Sequence, residues 1–126
     1  KVFNGQAVDL DTGYFNCIWQ GDANTQALLS LAHCKSPPTI LNITGPETVS
    51  VRLVAETFAG IFGKPAELAG AENATAFLSN SEAATGLFGG PTVSLQRLIE
   101  WTAHWIKIGG ASLGKPTHFE VRNGNY

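Results

Sequence analysis

Short apolar runs of two kinds follow one another along this chain, some alternating every second residue and some recurring every three to four, with glycine, proline and aspartate between them. Residues 6–10 (Gln6-Ala7-Val8-Asp9-Leu10) and 14–20 favour β-structure and are separated by Asp11-Thr12-Gly13, which predicts an N-terminal β-hairpin. In its second run Phe15, Cys17 and Trp19 alternate with Asn16, Ile18 and Gln20, so one face is expected in a core and the other partly open. Asp22 stands where a helix N-cap is expected, ahead of a stripe of Ala23, Ala27, Leu28, Leu31 and Ala32 that residues 35–38 close. Residues 39–44, bounded by Pro38 and by Gly45-Pro46, are apolar and β-branched, the pattern of a short buried strand.

Further along, Val51, Val54, Ala55, Phe58, Ile61 and Phe62 recur at helical spacing over 50–62, with Arg52 and Glu56 as an i,i+4 pair on the exposed side. Gly63 and Pro65 end that helix. Residues 66–76 are small and acidic and read as a loop, with room for a short strand at its start. A short helix over 80–88 closes at Gly89-Gly90-Pro91. A longer one over 94–108 turns Leu95, Leu98, Ile99, Thr102, Trp105 and Ile106 inward until Gly109-Gly110 stops it. The fold class is therefore α/β: a small sheet, made of the hairpin and a further short strand, packed with about four helices. Residues 1–110 form the domain and 111–126 a tail that crosses its surface.

Composition narrows the function. A chain of 126 residues is one domain or part of one, and 44% hydrophobic residues exclude disorder. With only 14% charged residues, some apolar surface is expected to meet another domain or subunit. A net charge of -2 offers no attraction for polyanions, so nucleic acid is not an expected partner. No run approaches the roughly 20 apolar residues of a membrane span, and no basic-then-apolar leader is present. The expected setting is cytoplasmic, with Cys17 in a strand and Cys34 at a helix end as reduced core thiols. The Asn42 and Asn73 N-x-[ST] triplets are then chance matches. The chain opens on Lys1 and directly on strand-like sequence, as expected of a piece of something longer.

Chemistry-bearing motifs are scarce. Gly109-Gly110-Ala111-Ser112-Leu113-Gly114-Lys115-Pro116 fits seven positions of the G-x-x-x-x-G-K-[ST] phosphate loop but has proline where a hydroxyl must reach Mg²⁺, and it follows a helix instead of a strand. His33, His104 and His118 have no metal-ligand spacing, and no G-x-S-x-G elbow occurs. No catalytic residue and no metal ligand is assigned.

The order of signals nevertheless resembles the post-Rossmann half of extended short-chain dehydrogenase/reductases, the NAD-dependent epimerase/dehydratases. The resembling pieces are Gly5 to Leu10, Gly13 to Gln20, Asp22 opening a helix, Leu41-Asn42-Ile43-Thr44-Gly45-Pro46-Glu47, and Ser50-Val51. Leu78-Ser79-Asn80 with Leu87-Phe88-Gly89, and the closing Thr102-Ala103-His104-Trp105, extend the resemblance to about Ile108.

That resemblance implies the C-terminal substrate-binding lobe of a Rossmann-type enzyme that performs oxidoreductase chemistry on a sugar, sugar nucleotide or small polar carbonyl or alcohol. NAD or NADP would sit in an N-terminal Rossmann domain outside this sequence, which contains no G-x-x-G-x-x-G and no tyrosine with a lysine four residues on. This chain alone would bind no cofactor and catalyse nothing. Substrate would meet Tyr14, Phe15 and Asn16 on the hairpin and Glu72, Asn73 and Thr75 in the loop. Sugar-nucleotide members usually carry an arginine at the position of Phe15, and no arginine lies between Arg52 and Arg97, so a smaller or uncharged ligand is equally compatible. The partners expected are the Rossmann domain, a small-molecule substrate and a second copy in a homodimer. The alternative is a non-catalytic interaction or regulatory protein derived from such a lobe.

Overall fold

A computed structural model describes residues 1–76 and 78–115. Its elements in order are β1 (Val8–Asp9), β2 (Tyr14–Phe15), α1 (Gln20–Leu29), β3 (Val49–Ser50), α2 (Val51–Phe62), β4 (Leu68–Ala69), α3 (Glu82–Phe88) and α4 (Leu95–Lys107), with 3-10 turns at Val2–Asn4 and Ser30–His33. The α/β class with four helices and few short strands is as the sequence predicts.

The two long C-terminal helices form where local chemistry asks for them. Ser50 accepts the Leu53 N–H at 3.2 Å and Ser94 accepts the Arg97 N–H at 3.3 Å, so α2 and α4 both start on a side-chain cap. Gly63, at φ 64°, ends α2 in the left-handed region that only glycine enters without strain. Val51 and Ala55 of α2 and Ile99 and Ala103 of α4 are buried with Leu10 and Val49 in the core. Trp105 and Ile106, expected inside, are exposed instead; the Trp105 indole folds back over Gly110 and donates to the Ala111 carbonyl at 3.0 Å. Lys107 donates to the Ile61 carbonyl at 2.8 Å, joining the far ends of the helix pair.

Strand pairing departs from the hairpin. β1 runs parallel to β4, with Val8 opposite Leu68, and β2 runs antiparallel to β3, with Tyr14 opposite Ser50 and Phe15 opposite Val49. The cause is the turn between them. The Gly13 N–H closes on the Leu10 carbonyl at 2.8 Å, and Gly13 itself stands at φ 66°. Its own carbonyl then accepts from the Val51 N–H at 2.9 Å, which carries β2 toward β3 and away from β1. A parallel partner for β1 requires a long crossover, and the chain from β2 through α2 supplies it.

Further expectations are corrected in the N-terminal half. Helix α1 starts at Gln20, not after Asp22, and Trp19 precedes it without a side-chain cap. Its buried side chain is Gln26, which donates to the Gly89 carbonyl at 3.2 Å, whereas Leu28 and Leu31 of the predicted stripe are 70% and 68% exposed. Residues 39–44 enter no strand, and Ile40 is 85% exposed. A β-branched run becomes a strand only where a neighbouring backbone offers a ladder. Cys17 lies past the end of β2 and is half-buried, while Cys34 is exposed and not a core thiol. Residues 116–126, most of the expected tail, and His118 lie outside the described residues.

Candidate functional site

The turn after β1, the loop after β4 and the first turn of α2 meet at one place. Asn73 donates from Nδ2 to the Asp11 carbonyl at 2.7 Å, which lays the 70–73 loop on that turn. Gly13 faces Glu72 so closely that a Cβ there would touch the glutamate Cβ at 3.4 Å. Arg52, in the first turn of α2, grips Glu72 with two hydrogen bonds, Nε to Oε1 at 2.6 Å and Nη2 to Oε2 at 3.0 Å. Arg52 thus pairs across the site and not along its helix with Glu56. The guanidinium holds the Glu72 carboxyl well below its usual range, at about 2, and Glu72 in turn raises Arg52. Tyr14, at the exposed edge of β2, pairs with Ser50, two residues before Arg52 in the chain.

Three of the six residues expected to meet substrate, Tyr14, Glu72 and Asn73, therefore come together. Thr75 is exposed on the same loop. Phe15 points to the other face of β2, as adjacent strand residues must, and lines an apolar groove of about 420 Å³ with Phe3, Val51, Phe58 and Phe62. Asn16 stands apart as a bracket: its Nδ2 donates to the Gly45 carbonyl at 3.2 Å and the Ser79 carbonyl at 2.7 Å, and its Oδ1 accepts the Ser79 N–H at 3.2 Å. Gly45 is required at that junction, because any Cβ would run into the Cys17 carbonyl oxygen. Arg52 is the residue that sequence reasoning placed on a solvent face. Its only signal was an arginine in the first turn of a helix that follows a strand.

A second bracket fixes α1. The Asp22 carboxylate accepts the Thr92 N–H at 3.0 Å, the Thr92 hydroxyl at 2.5 Å and the Val93 N–H at 3.1 Å, so it organises the approach to α4 in place of capping its own helix. The Thr92 hydroxyl, then the two backbone N–H groups, lower its pKa. Among the described residues no three His, Cys, Asp or Glu side chains converge as a metal site, and no helix is long and apolar enough to cross a membrane.

No family model matches this sequence, and no curated protein matches it. Its fold is found in solved structures. A UDP-glucuronic acid 4-epimerase from Bacillus cereus, in complex with NAD, superposes with a TM-score of 0.62 at 21% identity over 81% of this chain. The match covers 34% of that protein, so this chain spans about a third of its length. The fold is thus that of one portion of an NAD-dependent epimerase, as the resemblance in the sequence implies.

Among the described residues no helix opens on a G-x-x-G-x-x-G turn of the dinucleotide-binding kind. A pyrophosphate needs free backbone amides at a glycine-rich helix start. At α2 and α4 an amide of the first turn is taken by the chain's own Ser50 and Ser94, and at α1 the Trp19 indole occupies the space beside Gly21. The Gly109 to Lys115 stretch follows the C-terminus of α4, where carbonyls and not amides face outward, and the Trp105 ring fills the space over Gly110.

Proposed function

We propose that residues 1–110 are the substrate-covering lobe of an NAD(P)-dependent epimerase or dehydratase, acting on a sugar, a sugar nucleotide or a small polar carbonyl or alcohol, with the cofactor and the catalytic base on an N-terminal Rossmann lobe. The observation that carries this reading is the superposition of four fifths of the chain on a third of a larger, NAD-bound epimerase. The exposed apolar residues Leu28, Leu31 and Ile40 support it, because apolar side chains of that exposure are suited to burial against a second lobe. In this reading Tyr14, Glu72 and Asn73 form the wall that orients the substrate, with Thr75 beside them, while Asn16 fixes the loops behind. Phe15 acts from below as packing for β2. The lobe contributes no proton transfer; it holds the reacting carbon in place and excludes water from it.

Calorimetric titration with NAD and with NADP tests the division of labour. This chain alone is expected to bind neither, and a polypeptide that carries the proposed Rossmann lobe together with it is expected to bind one of them. Saturable micromolar binding of either cofactor by the present chain would overturn the proposal.

A further inference from the structure

The apolar groove on the face of β2 opposite Tyr14 has its own chemistry, independent of the lobe reading. It runs along α2: Val51, the first residue of that helix, and Phe62, the last, both line it, a span of about 16 Å at the helical rise. Phe3, Phe15, Phe58 and Ile106 add to a wall that is almost wholly aromatic and aliphatic, around about 420 Å³, a volume that suits one small molecule. Thr102 brings its hydroxyl, which donates back to the Leu98 carbonyl at 2.8 Å. Among the described residues no Asp, Glu, Asn or Gln lines the groove, so a sugar would find few partners there for its hydroxyl groups.

One end of the groove is cationic. Phe3 and Phe62 meet there edge to face, with 5.1 Å between ring centres. The Lys64 ammonium stands 4.4 Å from the centre of the Phe3 ring, and the Lys107 ammonium 5.8 Å from that of Phe62. Each donates one hydrogen bond to the backbone, Lys64 to the Phe3 carbonyl at 2.6 Å and Lys107 to the Ile61 carbonyl at 2.8 Å. An ammonium has three donors, so two remain on each. Both lysines are exposed, and among the described residues neither pairs with an acid, whereas Arg52 and Arg97 are held by Glu72 and Glu100. Lys1 also lines the groove; Lys35 and Lys115 do not. The Lys64 bond pins the 3-10 turn of Val2–Asn4 beside the end of α2, so this wall is formed before a ligand arrives.

We infer that the groove binds an amphipathic anion, a carboxylate with an unbranched aliphatic tail. The tail lies along α2 and the carboxylate at the Lys64–Lys107 end. Burial of the tail supplies affinity, and charge-assisted hydrogen bonds from the two ammonium groups fix its direction.

The test is a set of titrations of this chain, followed by amide chemical shifts, with decanoate, octanoate and decanol below the concentrations at which they aggregate. Decanoate is expected to move Phe3, Phe15, Phe58 and Phe62 and to bind about tenfold or more tighter than decanol, the scale of one charge-assisted hydrogen bond. Octanoate should bind about tenfold more weakly than decanoate, as two fewer buried CH₂ groups require. In Lys64→Gln with Lys107→Gln the ratio of decanoate to decanol affinity should fall toward one, and because it is a ratio, a general loosening of the groove does not imitate that result. A ratio of one in the unaltered chain, or one that the double substitution leaves in place, would overturn the anionic class. Groove residues that no ligand moves, or that shift with protein concentration alone as a second copy enters, would overturn the site. The cofactor titration, which judges the lobe reading, is untouched by any of these results.

Discussion

Helices α1 and α2 are of similar length, 10 and 12 residues, yet α2 buries Val51 and Ala55 and half-buries the rest of its apolar stripe, while α1 turns its leucines outward. α2 begins on the Ser50 cap, ends on Gly63 and packs on α4, so local signals and tertiary contacts agree. α1 has no side-chain cap, and polar bonds fasten it instead: Asp22 to Thr92 and Val93, and Gln26 to Gly89. Periodicity marks an apolar face without naming what covers it. The α2–α4 half buries Val51, Ala55, Ile99 and Ala103 within this chain, whereas the α1 half and residues 39–44 leave Leu28, Leu31 and Ile40 exposed.

The largest effect that could break this contrast is in the core. Leu10→Ala removes a side chain that is 1% exposed and should cost about 2–5 kcal/mol of unfolding free energy. Leu31→Gln, in the open half, should stay within about 0.5 kcal/mol. Urea midpoints for the two variants decide the matter, and equal losses would mean that Leu31 is as deeply packed as Leu10.

Next in size is association. If the α1 face is built for burial, the isolated chain should dimerise through it, since each apolar side chain fully buried contributes roughly 1.5–3 kcal/mol. Sedimentation at micromolar concentration should show species larger than monomer, and Leu28→Glu with Leu31→Glu should abolish them. A monomer before and after the substitutions would remove the case for a partner surface.

The same contrast explains what was legible in the sequence. The helices over 50–62 and 94–108 could be read from Ser50, Gly63 and Ser94 because caps and stops act within one turn. Strand partners could not. A two-residue strand such as Val8–Asp9 carries no register, and its ladder with Leu68–Ala69 joins residues about sixty apart. Asp22 shows the same limit, since a carboxylate at a helix start satisfies local N–H groups or distant ones equally well, and here the amides at 92 and 93 took it. Of the candidate site, Tyr14, Glu72 and Asn73 were legible as polar residues beside turns. Arg52 was missed because its partner lies on a different element, and an i,i+4 glutamate was the nearer choice.

A smaller effect probes how α1 is held. Asp22→Asn keeps the shape but removes the charge from three accepted hydrogen bonds, and should cost about 0.5–1.5 kcal/mol at neutral pH. The pH dependence has a definite sign. The folded state lowers the Asp22 pKa below its ordinary 3.8, so the stabilisation is complete above that value and is lost as pH falls through the lower folded value. The Glu72 carboxyl, at about 2, titrates in the same direction from its ordinary 4.5. Thermal unfolding between pH 5 and 2 should therefore be less steep in Asp22→Asn than in the parent, and identical slopes would show that this carboxylate fastens nothing.

The two cysteines sharpen the comparison at the smallest scale, because one is half-buried and the other exposed. Cys17, half-buried beyond β2, has its thiol pKa raised first by burial and then by the nearby Glu47 carboxylate. Cys34, after the 3-10 turn that follows α1, is exposed. Alkylation proceeds through the thiolate and needs access, so dilute iodoacetamide at neutral pH should label Cys34 before Cys17, as peptide mass spectrometry would record. Prior labelling of Cys17 would contradict the burial described here. The ordering also reports on association: Cys34 shares its surface hollow with Ser30, His33 and Pro38, next to the exposed α1 leucines. If two copies meet there, raising the protein concentration should slow labelling of Cys34 and leave Cys17 unchanged. Labelling of Cys34 that is independent of concentration, in a sample that sediments as a dimer, would place the dimer contact elsewhere on the molecule.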